Sequence, residues 1–187
     1  GAQVKLNQCL FGYDEGHRLL AASQKLPEEA ASLLLPHSDL VPGLPSTGFK
    51  SYWTGIPISS LKAYALMQTW PAPELPRPGC VWTHVLLIGF ADMARFTDLS
   101  VLRAHLLRPA EAESYAAYME PILADPESTG RPHGALASAR SGLLVLRSLY
   151  REDTKGILGV DRDDIDDSIF AAWSQQWPRL RRSFSFR

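Results

Sequence analysis

Residues 80–90, CVWTHVLLIGF, are apolar at odd and even positions alike. A helix this short needs only one apolar stripe, and a half-exposed strand only one apolar face, so a run apolar on both sides points to a strand buried on both faces. Such a strand belongs in the middle of a sheet, with other elements covering each side. The segment that leads into it, 71–79 (PAPELPRPG), is a stiff proline-rich connector. Within the strand only Thr83 and His84 break the apolar pattern.

A second sheet element opens the chain. Residues 3–11 alternate, with Val4 and Leu6 opposed to Lys5 and Asn7. Strict alternation puts Gln8 on the apolar face, where its amide needs hydrogen-bond partners. Gly12-Tyr13-Asp14-Glu15-Gly16-His17-Arg18 then turns the chain, and 17–23 returns as the second strand of a hairpin. A turn of this kind does not require an Asp, a Glu, a His and an Arg within five positions.

The remaining elements follow from periodicity and punctuation. Pro27-Glu28-Glu29 starts a helix expected to stop at Pro36, followed by a surface loop over 36–50. Residues 52–58 read as extended, and 64–70 as a strand or short helix. Helices are expected over 99–107, 111–123, 135–150 and 163–177, although Gly142-Leu-Leu-Val-Leu within the third could instead be a strand, with a short strand at 155–160. Alternation of Leu180, Arg182, Phe184 and Phe186 against Arg181, Ser183, Ser185 and Arg187 predicts a terminal strand with Arg181 and Arg187 facing solvent. Strands and helices mix without βαβ regularity, so the expected fold is α+β: a mixed or antiparallel sheet on an N-terminal hairpin and a central strand near 80–90, packed against several helices. With 187 residues and an apolar fraction of 45%, one domain over 1–187 is expected.

Several function classes are disfavoured. A net charge of −1 argues against a nucleic-acid footprint. No run is long and apolar enough to suggest a membrane helix, and no secretory leader is visible. Two cysteines, Cys9 and Cys80, make no disulfide framework and fit a reducing cytoplasmic setting. Neither C-x-x-C nor H-E-x-x-H occurs, so no metal site or other cofactor is expected; the chain also lacks a phosphate-binding P-loop.

The candidate site residues centre on the turn. Glu15 or Asp14 could serve as base, His17 as acid or base, and Arg18 as a grip on carboxylate or phosphate. The alternative is a solvated hairpin tip whose charges keep a turn soluble. His84 is either a core histidine with satisfied hydrogen bonds or a neutral base that meets His17 across the sheet. In the second case Gln8, Tyr13, His17, Arg18, Ser23 and His84 would line a pocket for a nucleotide or other phosphate-bearing ligand. Cys80 and His84 share a face but lie about 13 Å apart at ordinary strand rise, too far for a thiol–imidazole pair. Trp53 and Trp70, beside loops, are candidates for an exposed partner surface, while Trp173 and Trp177 suit the anchoring of a helix. The arginines at 179, 181, 182 and 187 favour a structural or solvated role over nucleic-acid binding.

Four blocks, QCLFGYDEGHRLLAAS, SYWTGIPI, RPGCVWTHVLLI and AAWSQQWPRLRRSFSFR, give the chain a family likeness along nearly its whole length. It resembles the N-terminal domain, first type, of the bacterial GTPase-associated proteins. The resemblance implies a cytoplasmic part of a longer multidomain protein, encoded beside a GTPase in an NTP-dependent conflict (anti-phage defence) system. Its partners would be that GTPase and other subunits of the system, met through protein–protein interaction. The family supplies no catalytic residues to carry over, so an enzymatic or ligand-binding domain using His17 and His84 stands as the alternative.

Overall fold

The computed structural model describes residues 1–46, 48–110, 114–128, 162–175 and 181–187, with 162–165 described by their backbone. Its centre is an antiparallel sheet. The strands are β1 (Val4–Tyr13), β2 (His17–Ala22), β3 (Tyr52–Ile58), β4 (Ala63–Pro71), β5 (Val81–Gly89) and β6 (Ile122–Ala124). Their order is β2-β1-β5-β4-β3, and β6 pairs with β1 beyond the end of β2. The doubly apolar strand β5 is thus the middle one. It pairs with β1 on one side (Leu10 opposite His84) and with β4 on the other (Gln68 opposite His84).

Each face of the sheet has its own cover. Cys9, Phe11, Ala65, Met67, Val85 and Leu87 pack against Ala30 and Leu34 of helix α1 (Glu28–Ser38). Val4, Leu6, Tyr64, Leu66, Leu86 and Ile88 pack on the other side, against Leu99 and Leu102 of a 3₁₀ segment (Leu99–His105) and Phe170 and Trp173. The two aromatic residues belong to a helix over Arg162–Gln175, called α3 here because the single turn Phe90–Met93 is α2. No helix among the described residues is long and apolar enough to cross a membrane.

Four expectations change. Helix α1 runs through Pro36 to Ser38. A proline in the last turn removes one N–H, but the side chains of His37 and Ser38 donate to the carbonyls of Leu33 and Leu35 at 2.9 and 2.7 Å and finish the turn. Within 99–107 the helix is 3₁₀ rather than α and stops at His105. Of the helix expected over 111–123, residues 111–113 lie outside the described residues, and 114–123 hold a 3₁₀ turn at Ala116–Tyr118 and the start of β6 instead. Pro121 breaks the helical pattern, and Ile122 pairs with Leu6 on an open edge of β1. The terminal strand shrinks to one bridge, Gly55 with Phe186. The elements expected at 135–150 and 155–160, with Trp177, Arg179 and Leu180, lie outside the described residues.

Candidate functional site

Gln8 and His84 meet on the α3 side of the sheet. The Leu107 N–H donates to His84 Nδ1 at 3.0 Å, so the ring proton resides on Nε2, which donates to Gln8 Oε1 at 2.7 Å. The Gln8 amide nitrogen donates to the Ala117 and Glu120 carbonyls at 2.8 and 2.6 Å. The Tyr118 ring stands edge-on to the imidazole at 4.8 Å, and its hydroxyl donates to the Leu107 carbonyl. Burial pushes the His84 pKa down to about 3, and nearby His105 adds to the shift. A neutral ring with both nitrogens engaged fastens β1 and β5 to the 106–120 segment.

His17 is on the opposite side. Its ring stacks on Phe11 at 6.2 Å and meets Ser38 Oγ at 2.8 Å. Ser38 donates its hydroxyl proton to the Leu35 carbonyl, so His17 Nε2 donates to Ser38. Asp39 Oδ1 is 4.0 Å from His17 Nδ1. Burial holds the His17 pKa below its ordinary value, opposed by the Asp39 carboxylate and the Ser38 contact. The carbonyl of Ser38 accepts from Thr83 Oγ1 at 2.6 Å, and Thr83 in turn accepts from Thr69 at 2.8 Å. Thr83 and His84, neighbours on β5, therefore reach opposite faces. The proposed meeting of His17 with His84 does not occur.

Ser38, His17 and Asp39 have the connectivity of nucleophile, base and orienting acid. Their surroundings favour another use. Ser38 is fully buried. It also lies at the C-terminal end of α1, where carbonyl partial charges oppose a developing alkoxide and favour a cation. The arrangement pins the hairpin to the helix.

Beyond that pin the turn is open. Asp14, Glu15 and Arg18 are exposed, and Glu15 and Gly16 take positive φ (53° and 131°). Arg18 lies 3.9 Å from Asp14, and the Arg77 guanidinium sits over the half-buried Tyr13 ring at 5.7 Å. Gly12 has a different reason from the one a turn suggests. It lies within β1, and a Cβ there would fall 2.6 Å from the Trp82 ring.

A family model described as GTPase-associated protein 1, N-terminal domain type 1, matches residues 5–106. The chain belongs to this family. No curated protein and no solved structure matches it. The match contains α1 and the five strands of the main sheet path, save Val4 at the start of β1. It excludes β6, α3 and the fourth block that contributed to the resemblance.

Within this GTPase-associated domain, the remaining candidates separate by burial. Trp53 is not an exposed platform: it is buried, edge-to-face with Phe170 at 5.2 Å and beneath the Arg103 guanidinium at 5.5 Å. Trp70 is half-buried against the same core. Ser23 closes the end of β2 by accepting from the Gln8 N–H at 2.8 Å and donating to Asn7. Arg181, expected in solvent, is buried and donates to the carbonyls of Met93, Phe96 and Ser174. Arg182, expected on the apolar face, is exposed over Phe90.

Sequence reasoning misses Ser38 and Asp39, because Pro36 predicts that the helix stops before them and a loop begins. It also misses Glu74, whose carboxylate accepts from Trp82 Nε1 at 2.8 Å and takes Arg108 in a two-oxygen grip at 2.6 and 2.8 Å. The available signal was a tryptophan in a buried strand, whose N–H needs an acceptor.

Proposed function

We propose that this domain is a recognition and assembly module of a GTPase-associated protein in a bacterial conflict system. In this reading it is the N-terminal part of a longer cytoplasmic protein and acts through protein–protein contact. The observation that carries the reading is the division of labour among the candidate side chains. Gln8, His84 and His17 spend their hydrogen-bonding capacity on holding the fold, while Tyr13, Asp14, Glu15 and Arg18 stand on a tip held in place from behind. A prealigned tip with both charge signs loses little freedom on docking, which favours specific association.

The test is binding of the GTPase encoded beside the gene to the full-length protein. The expected result is saturable association, weakened at least about tenfold by Asp14→Ala/Arg18→Ala with unchanged thermal stability. Undiminished affinity in that variant would remove the tip from the interface. Failure of the unaltered protein to associate would overturn the assembly reading itself.

A further inference from the structure

We infer that the partner surface of this domain is the whole end of the sheet at which the hairpin tip stands, and that Arg77 of the proline-rich connector is its seat for a carboxylate of the GTPase. The inference rests on the assembly reading above. It adds the second half of the surface and the chemistry of the group that meets it.

Strand pairing brings three connections to one end. Phe11 lies opposite Thr83, Thr69 opposite both Thr83 and Tyr52, and Pro71 opposite Val81. The β1–β2 turn, the β4–β5 connector and the segment 39–46 after α1 therefore emerge together, while the β3–β4 turn around Lys62 lies at the other end. Side chains tie the three to one another. The Arg77 guanidinium covers the Tyr13 ring at 5.7 Å, His17 lies 4.0 Å from Asp39, and a Cβ at Gly79 would stand 3.8 Å from Ser46.

The tip needs these neighbours. A specific interface buries about 800 Å² on each partner, or about 20–30 residues. The turn from Tyr13 to Arg18 holds six. The elements that its own side chains touch are the surface it can share.

Arg77 faces outward from a rigid frame. The Ala72 N–H donates to the Cys80 carbonyl at 3.0 Å, the Cys80 N–H donates to the Arg77 carbonyl at 3.4 Å, and Glu74 is held by Trp82 and Arg108. Pro76 and Pro78 fix the backbone on either side of it. The Arg77 side chain is exposed and rests on an aromatic face, yet among the described residues it has no carboxylate partner. Glu74, the one acid in the connector sequence, is already gripped by Arg108. A guanidinium with its fork of donors free, laid over a tyrosine on a braced loop, is prealigned for a carboxylate. Arginine and tyrosine are also the residue types that most often dominate interface energetics.

The experiment titrates the full-length protein with the GTPase encoded beside its gene. Arg77→Glu is expected to weaken binding at least about tenfold, and Arg77→Ala at least about threefold, with thermal stability unchanged. The Arg77→Ala deficit should shrink as salt is raised, because screening removes the same attraction from the unaltered complex. Lys62→Glu, the same charge reversal at the opposite end of the sheet, should leave affinity unchanged. In Arg77→Lys a carbodiimide should join the introduced ammonium to an aspartate or glutamate of the GTPase, located by mass spectrometry; links only to this chain's own carboxylates overturn the inference. Should Arg77→Glu bind no more weakly than Lys62→Glu while Asp14→Ala/Arg18→Ala is impaired, the inference falls and the assembly reading stands. If the unaltered protein does not bind the GTPase, both fall. Self-association of the unaltered chain that Arg77→Glu breaks, with GTPase binding intact, would assign the surface to a second copy and overturn the choice of partner.

Discussion

Acidification should unfold this protein through His84. The ring is held neutral in the fold, with its pKa pushed down to about 3, whereas in the unfolded chain it returns to about 6.5. As pH falls through 6.5 the unfolded state takes the proton first, so stability drops, and it goes on dropping until the folded pKa is reached. At about 1.4 kcal/mol per pH unit, His84 alone costs about 3 kcal/mol between pH 7 and pH 4.5, a large share of a domain's margin. His17 and His105, both lowered by burial, act in the same direction. Urea unfolding followed by tryptophan fluorescence at half-unit steps measures the slope. His84→Gln should be less stable at pH 7 by about 1–3 kcal/mol, because it leaves the Leu107 N–H unpaired. Its stability should nevertheless fall less steeply with acid. Parallel pH profiles for the two proteins, or a His84 ring signal that titrates near 6.5 in the folded state, would refute the reasoning.

Other outcomes follow from single contacts. Gly12→Val should destabilise by about 1–3 kcal/mol by driving a side chain into the Trp82 ring, read as a lower urea midpoint with unchanged m-value. Arg181→Leu removes the donor to the Met93, Phe96 and Ser174 carbonyls and should cost about 2–4 kcal/mol; Arg181→Lys, with a single ammonium, should recover only part of it. His17→Ala should cost about 1 kcal/mol and speed amide hydrogen exchange in β2 and the last turn of α1. Asp14→Ala, which breaks an exposed pair, should shift stability by less than about 0.5 kcal/mol in the same urea assay.

How much of this was legible in the sequence depends on the reach of each interaction. The centrality of β5 follows from apolar side chains on both faces, a property of the strand itself. The need of Gln8 for hydrogen bonds likewise follows from its place in the β1 alternation, though its acceptors at 117 and 120 do not. The inward use of His17 was hidden because its partner lies beyond Pro36, where local rules end the helix. Trp53 reads as loop-proximal until Phe170, far along the chain, covers it. Arg181 fits an alternating strand pattern, and only the carbonyls around α2 and α3 explain its burial.

The Gln8–His84 tie also bears on where the chain can be cut. Both residues fall within the family match, yet every other hydrogen bond their side chains make is to residue 107, 117 or 120, past its last residue. A fragment trimmed to 5–106 would keep two inward-pointing polar groups and lose the backbone that satisfies them. It would also lose Val4 and bare the Lys5–Leu6 edge where β6 lies. The smallest self-supporting unit therefore extends beyond the boundary that family similarity draws, and expression trials guided by that boundary alone should yield insoluble protein.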